Sequence, residues 1–458
     1  MAAPNPDRAS PEAHLVSARP SLQLAPASRG AGVARRALTI LAASLRHGTL
    51  SVTESGRTSV FGSSNGGVVD ARLEVHDASF WRRVITHGGV GIGESYFMGE
   101  WDSDDIVAVL RLLTLNLDRI NHLSRWLAPL RDALRRPKWR RSITTREKDR
   151  ENITAHYDLG DDFFKLFLDP SLAYSSGVFP ASESSLEEAS IEKFDRICRK
   201  LSLGPDDHVV EIGTGWGGFA IHAASRYGCR VTTTTISPSQ FTYATRAVHE
   251  AGLDNLVSVL NSDYRDIAGT FSHLVSIEMI EAVDWREYET YFAACEQLLR
   301  LDGLAAFQCI VIDDREFERY KTRQDYIRRY IFPGGGLPST LAMTRAIATA
   351  SDFAVVDFED LAGHYVRTLD IWRERLDANT AEAKSQGFDD RFLRMWRFYF
   401  AYCAAGFAER HVSVIQMVLA RKDWRDHARP QSHSDSTVGQ ARVRSSSGGD
   451  GIEAGAAQ

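Results

Sequence analysis

The chain has 458 residues, 43% of them hydrophobic and 25% charged, which is enough for two or three domains and a sizeable core. Its net charge of −6 argues against a general nucleic-acid binder. The cysteines Cys198, Cys229, Cys295, Cys309 and Cys403 are scattered without CxxC spacing, which excludes a disulfide framework or zinc site and predicts no metal.

In chain order, residues 1–33 are rich in Ala, Pro, Ser and Arg without periodicity and read as a disordered arm with no signal-peptide layout. A small α+β domain is expected over 35–130: an opening helix, short strands with glycine turns in "GTLSVTESGRTSVFGSSNGG" and "ARLEVHD", then the helical "IVAVLRLLTLN". The connector at 131–150 is basic; it reads either as a solvated linker helix or as a contact with anionic lipid headgroups, with Trp139 at the interface. From 151 to 422 the pattern becomes strand, helix, strand. "HVVEIG", "RVTTTTI", "VSVLN", "HLVSIEM" and "GLAAFQCIVI" are the strand candidates, with "GFAIHAASRY", "PSQFTYATRAVHEAG" and "REYETYFAACEQLL" as helices between them. That rhythm predicts an α/β, Rossmann-like doubly wound sheet that binds ligands at the carboxyl ends of its strands. Residues 426–458 read as a disordered tail. No run of about 18 apolar residues predicts a membrane span, so the expected location is cytoplasmic.

"VVEIGTGWGGF" follows a strand and precedes a helix. Gly213 and Gly215 let the backbone turn sharply and approach a ligand with no Cβ in the way. The spacing fits neither the dinucleotide fingerprint nor a P-loop. It resembles the first motif of class I S-adenosylmethionine methyltransferases, which implies cofactor contacts from Tyr174, Ser175, Glu211, Gly213, Thr214, Gly215, Trp216, Gly217 and Ser262. The second strand ends in "TTTTISPSQ" without the acidic residue that often holds ribose hydroxyls. Thr235, Ser237 and Gln240 are expected to serve instead, with Asp263 on the adenine side.

Several further segments, in order from about Asn152 to Arg421, resemble the cyclopropane-fatty-acyl-phospholipid synthases and cyclopropane mycolic acid synthases. They are "HYDLGDDFFKLFLDPSLAYSSGVF", "EIGTGWGGFA", "TISPSQ", "DYRD", "YIFPGGGLPS", "HYVRTLDIWRERL" and "FYFAYCAAGFAERHVSVIQMVLAR". "GESYFMGEWDSDD" resembles the small N-terminal domain of the phospholipid-acting members. The resemblance implies helical lipid-pocket insertions in the sheet domain, S-adenosylmethionine as cofactor, and unsaturated phospholipid acyl chains at the inner membrane face as substrate. A homodimer is compatible with it. The implied chemistry is one-carbon transfer to an alkene, with a carbocation that loses a proton as a cyclopropane closes. Aromatic density suits a cation held away from water, although core packing explains most of it.

The family also holds a bicarbonate ion. Carried over by residue, its ligands fall on Ser176, Glu281, Gln308, Ile310 through its backbone, and Tyr365. Ser176 and Gln308 stand where the best-known members have Cys and His, and Ala282 replaces a common His, so an imidazole suited to proton traffic is missing. "EMIEAV" with a glutamine strand resembles a subgroup that includes plant cyclopropane synthase domains and enzymes of 10-methyl or 10-methylene fatty acids. A methylene product would need a reductase partner to become a methyl branch. Cys403 matches a family cysteine, read either as packing near the lipid channel or as a direct participant. "FPGGGLPS" reads as a lid or as a simple connection.

"SIEMIEAVD" places Glu278 and Glu281 three residues apart in an apolar run, where an unpaired charge costs several kcal/mol. Glu278 is expected at the end of a strand, facing the cofactor edge or capping the next turn. Glu281 is expected to carry the proton work. A reading of a different class, a non-catalytic lipid-binding homologue, is motivated by Ser176 and Gln308; the intact glycine loop, Glu281 and Tyr365 count against it.

Overall fold

The computed structural model describes residues 31–63, 69–126 and 159–425. The basic connector with Trp139, residues 1–30 and the tail from 426 lie outside the described residues. The first helix runs Ala31–Ala42, so it starts inside the stretch expected to be an arm.

Strand alternation builds the first sheet. In β1 (Gly48–Glu54) Leu50 and Val52 point inward, and in β3 (Asp70–Val75) Ala71, Leu73 and Val75 do the same. β2 (Arg57–Ser63) pairs antiparallel with β1 through a two-residue turn, Ser55–Gly56, both at positive φ as such hairpins require. β3 lies parallel to β1, and the short β4 (Trp101–Asp102) closes the order β2-β1-β3-β4. Helices Ser79–His87, Gly89–Phe97, Ile106–Leu115 and Leu117–Trp126 complete this part of the chain.

The second sheet has seven strands in the order β10-β11-β9-β8-β5-β6-β7. β5 (His208–Ile212), β6 (Arg230–Thr235), β7 (Val257–Asn261), β8 (Phe271–Ile277) and β9 (Leu299–Ile312) are parallel, as the alternating pattern predicts. Helices Gly218–Tyr227, Pro238–Glu250 and Tyr288–Gln297 occur where their sequences predicted them. Strand order reverses between β5 and β8, which opens a crevice at their carboxyl ends.

Two strands are additional to the five anticipated here. β11 (Val412–Ala420) inserts antiparallel beside β9, and β10 (Ala354–Asp360) pairs with its far side. β11 is almost wholly buried and lacks period-two alternation, and β10 is an exposed edge. Neither pattern separates a strand from other short apolar segments.

Helices Ala362–Ala378 and Asp390–Ala408 pack beyond this sheet around fully buried Trp372, Trp396, Phe163 and Phe167. The same core continues through Trp101 and Phe80, so the 31–126 part shares one hydrophobic interior with these helices. Arg394 pins the joint: Nε donates to Tyr96 O at 2.7 Å and Nη2 to Trp101 O at 3.0 Å. No helix among the described residues is long and apolar enough to cross a membrane.

Candidate active site

The glycine loop leaves β5 and turns through Gly213 (φ 100°), Gly215 (φ 53°) and Gly217 (φ 93°), conformations that only glycine adopts readily. A Cβ on Gly215 would meet nothing within 4 Å, so its backbone faces open space. Gly213 and Thr214 N–H both donate to Thr234 O, which ties the loop to β6. Glu211 is buried, and its Oε2 has no hydrogen-bond partner. Burial pushes this carboxyl up to about 8, with a bond to Thr233 opposing the rise. An ammonium group is the natural complement of such an orphaned carboxylate, and S-adenosylmethionine carries one beside its sulfonium.

Tyr174, Ser175, Glu211, Gly213, Thr214, Gly215, Trp216, Thr235, Gln240, Ser262 and Asp263 all line one cavity with this loop. Gly217 supports the turn. Ser237 caps the Pro238–Glu250 helix by accepting from Gln240 N–H, and is not among the lining residues. Asp263 directs both carboxylate oxygens to Arg265 at 2.7 and 2.8 Å, which fixes its side chain at the cavity wall. Trp216 is fixed by a 2.7 Å bond to Asp161 and by Phe164 against its face.

Beyond the loop, the expected anion ligands gather around Glu278. Ser176 N–H and Gln308 Nε2 donate to Glu278 Oε1 at 2.9 and 2.8 Å, and Tyr365 OH donates to Oε2 at 2.7 Å. The Ser176 hydroxyl turns away to Gly177 O. Glu281 stands apart: Oε1 accepts from Ile310 N–H, and Oε2 is buried with no partner. The four donor groups expected for a bicarbonate are thus engaged by two side-chain carboxylates. A free anion does not fit among them.

Both acids are raised above the usual carboxylate range, first by burial. Glu278 is offset by bonds from Gln308, Tyr365 and Ser176, whereas Glu281 is pushed up to about 8 by burial and by repulsion from Glu278. Two like charges cannot share such a site, so the better-solvated acid holds the charge. Glu278 is that acid. It sits at φ 50°, a left-handed conformation costing a non-glycine residue about 1–3 kcal/mol, and its own N–H is held by Gln308 O at 2.7 Å.

The cavity measures about 1300 Å³. That exceeds the roughly 300–1,000 Å³ usual for small-molecule sites and leaves room for a long chain beside the cofactor. Tyr174, Phe332, Tyr365, Tyr399, Tyr402 and Phe407 line it with rings. Cys403 lines it too, but burial pushes its thiol well up, away from a reactive thiolate. The glycines of "FPGGGLPS" also form wall. Gly336 N–H donates to Glu281 O at 2.8 Å, and Arg328 Nε donates to Gly335 O at 2.9 Å, so this segment is pinned.

Lys193 and Gln416 carry no assignment from sequence. Lys193 is fully buried, donates to Ser175 Oγ at 2.7 Å, and burial lowers it to about 8 while Glu278 and Asp169 oppose the drop. Its signal was positional: it lies on the buried stripe Leu186, Ser190, Ile197 and Leu201 of the Leu186–Leu201 helix. Gln416 faces Gln308 across β11 and β9 and donates to its Oε1 at 3.1 Å, which turns the Gln308 amine toward Glu278. That pairing depended on finding β11.

A family model described as mycolic acid cyclopropane synthetase matches residues 144–417. The chain is 38% identical over 349 residues to tuberculostearic acid methyltransferase UfaA1 of Mycobacterium tuberculosis, covering 74% of this chain and 81% of that protein. It is 34% identical over 365 residues to the cyclopropane-fatty-acyl-phospholipid synthase of Escherichia coli strain K12, covering 79% and 90%. Among solved structures, the cyclopropane synthase MmaA2 from Mycobacterium tuberculosis superposes with a TM-score of 0.56 at 29% identity, over 61% of this chain and 100% of that one. The mycolic acid cyclopropane synthase CmaA1, solved with SAH and CTAB, gives 0.55 at 29% identity, over 59% and 98%.

Proposed function

The chain belongs to the mycolic acid cyclopropane synthetase family of S-adenosylmethionine-dependent methyltransferases, and from that premise we propose that it transfers a one-carbon unit to the double bond of an unsaturated phospholipid acyl chain, forming a cyclopropane. The observation that carries this reading is the cavity itself. One continuous space joins the glycine loop to an aromatic wall containing buried acids, with no metal-ligand cluster among the described residues. A phospholipid substrate is supported by the E. coli relative, whose name specifies it and whose match extends beyond the methyltransferase portion.

When bound, S-adenosylmethionine supplies an electrophilic methyl carbon. The residues of this chain do the rest. Gly213 and Gly215 would admit the cofactor against the backbone, and the unpartnered Glu211 Oε2 would hold its ammonium. Tyr174, Tyr399 and Phe407 line the wall beside which a cation would develop on the acyl chain, and the apolar lining would keep water from capturing it. Loss of a proton from the added methyl, its C–H pair forming the last ring bond, closes the cyclopropane.

A second reading, a methylene- or methyl-branched product, is favoured by the 38% identity to a tuberculostearic acid methyltransferase. There a hydride shift precedes proton loss. Expression in a host rich in unsaturated phospholipids, followed by mass spectrometry and proton NMR of its fatty acids, tests both. Upfield cyclopropyl protons support the first product and olefinic methylene protons the second. An unchanged fatty-acid profile despite S-adenosylmethionine binding would favour a lipid-binding protein instead.

A further inference from the structure

Glu278 stands where a separate anion was expected, and we propose that its carboxylate is the resident anion and base of the site, taking the proton released after methyl transfer. This rests on the reaction read above. Three donors from three segments, Ser176 N–H, Gln308 Nε2 and Tyr365 OH, converge on its two oxygens. Gln308 is itself held by Gln416, so the cradle is built for a carboxylate in one position. The backbone supports the same placement. Glu278 keeps a left-handed conformation at the end of β8, clamped through its N–H to Gln308 O, and its side chain lines the cavity with Tyr399 and Cys403.

Glu281 is less suited to the task. One oxygen is tied to Ile310 N–H, the other is orphaned, and the neighbouring charge favours its protonated form. Lys193, buried behind Ser175, adds a positive charge that favours ionised Glu278. The step balances. The alkene pair forms the new C–C bond as the methyl–sulfur bond breaks toward sulfur. A C–H pair of the added methyl then becomes the ring bond, or the double bond of a methylene branch after a hydride shift. The released proton passes to a Glu278 oxygen.

The test compares the wild-type chain with Glu278→Gln and Glu278→Gly, using S-adenosylmethionine and vesicles of monounsaturated phosphatidylethanolamine, in buffer stripped of carbon dioxide and with bicarbonate restored. Glycine adopts the left-handed backbone without strain, so Glu278→Gly retains the local fold. Wild-type turnover is expected to be the same in both buffers, and each variant to lose about 10²-fold or more in stripped buffer. Bicarbonate is expected to restore turnover to Glu278→Gly alone, with S-adenosylhomocysteine affinity unchanged in all three proteins. In parallel, carbon-13 bicarbonate is expected to show NMR line broadening with Glu278→Gly and none with wild type. A wild-type rate that collapses in stripped buffer, or near-normal turnover by Glu278→Gln, overturns the proposal. If wild type modifies no acyl chain while the NMR result holds, the reaction and the base role fall together, and Glu278 remains the resident anion.

Discussion

Glu278 and Glu281 show how little spacing says about which of two acids is charged. Three residues apart in one apolar run, they differ because three donors reach Glu278 while only Ile310 N–H reaches Glu281. The folded chain therefore holds Glu281 protonated up to about 8, against an ordinary carboxylate value near 4.5 when unfolded. Between those values the folded state binds more protons than the unfolded one, so Glu281 lowers stability as pH rises through that window. Glu281→Gln, which imitates the neutral acid, is expected to be progressively more stable than wild type from pH 5 to pH 9, by the order of a few kcal/mol at the top. Denaturant melts at pH 5, 7 and 9 check this; a constant difference would mean that Glu281 is ionised throughout. The sequence exposed the pair as anomalous. It did not show the donors, which come from residues 102, 30 and 87 positions away from Glu278.

At the scale of elements, the glycine-rich "GGVGIGESYF" serves a packing purpose. Helix Gly89–Phe97 meets helices Tyr326–Tyr330 and Asp390–Ala408 so closely that a Cβ on Gly93 would lie 2.3 Å from the Tyr326 ring and 2.8 Å from Phe398. Gly93→Ala is expected to destabilise by about 1–3 kcal/mol, which lowers the melting temperature by roughly 1 °C per kcal/mol in a chain of this size. Gly89, four residues earlier, would place a Cβ in open space, so Gly89→Ala is the matched control and is expected to leave the melt unchanged or slightly higher. Equal melts for the two variants would show that the helices separate without cost. The parallel strands of the main sheet were legible because each is a short apolar run between helices of clear period. β10 and β11 were not, since their identity as strands depends on β9 offering an edge.

Across the whole molecule, Glu94 joins the two ends of the shared core. Fully buried, it accepts from Tyr330 OH at 2.6 Å and lies 3.3 Å from Arg329, with His87 on its other oxygen. Burial alone would raise this acid, but the bonds from His87 and Tyr330 outweigh it and hold Glu94 below the usual range. Its contribution is fully present above about pH 4.5 and disappears as pH falls through the depressed folded value. Wild type is expected to exceed Glu94→Gln in melting temperature at pH 7, with the gap closing on acidification below pH 4.5; a gap independent of pH would assign the effect to packing alone. By itself the sequence determined the doubly wound sheet and the glycine loop, because strand–helix alternation and the loop's residue types are local properties of the chain; the cofactor followed from the loop's resemblance to the class I methyltransferase motif. Only the tertiary structure decided that residues 31–126 share a core with the late helices, and that Glu278 rather than a free anion occupies the donors. Those outcomes depend on groups far apart in sequence meeting in a space of low polarity, where each unpaired charge or donor is costly and the final pairing settles which acid is ionised.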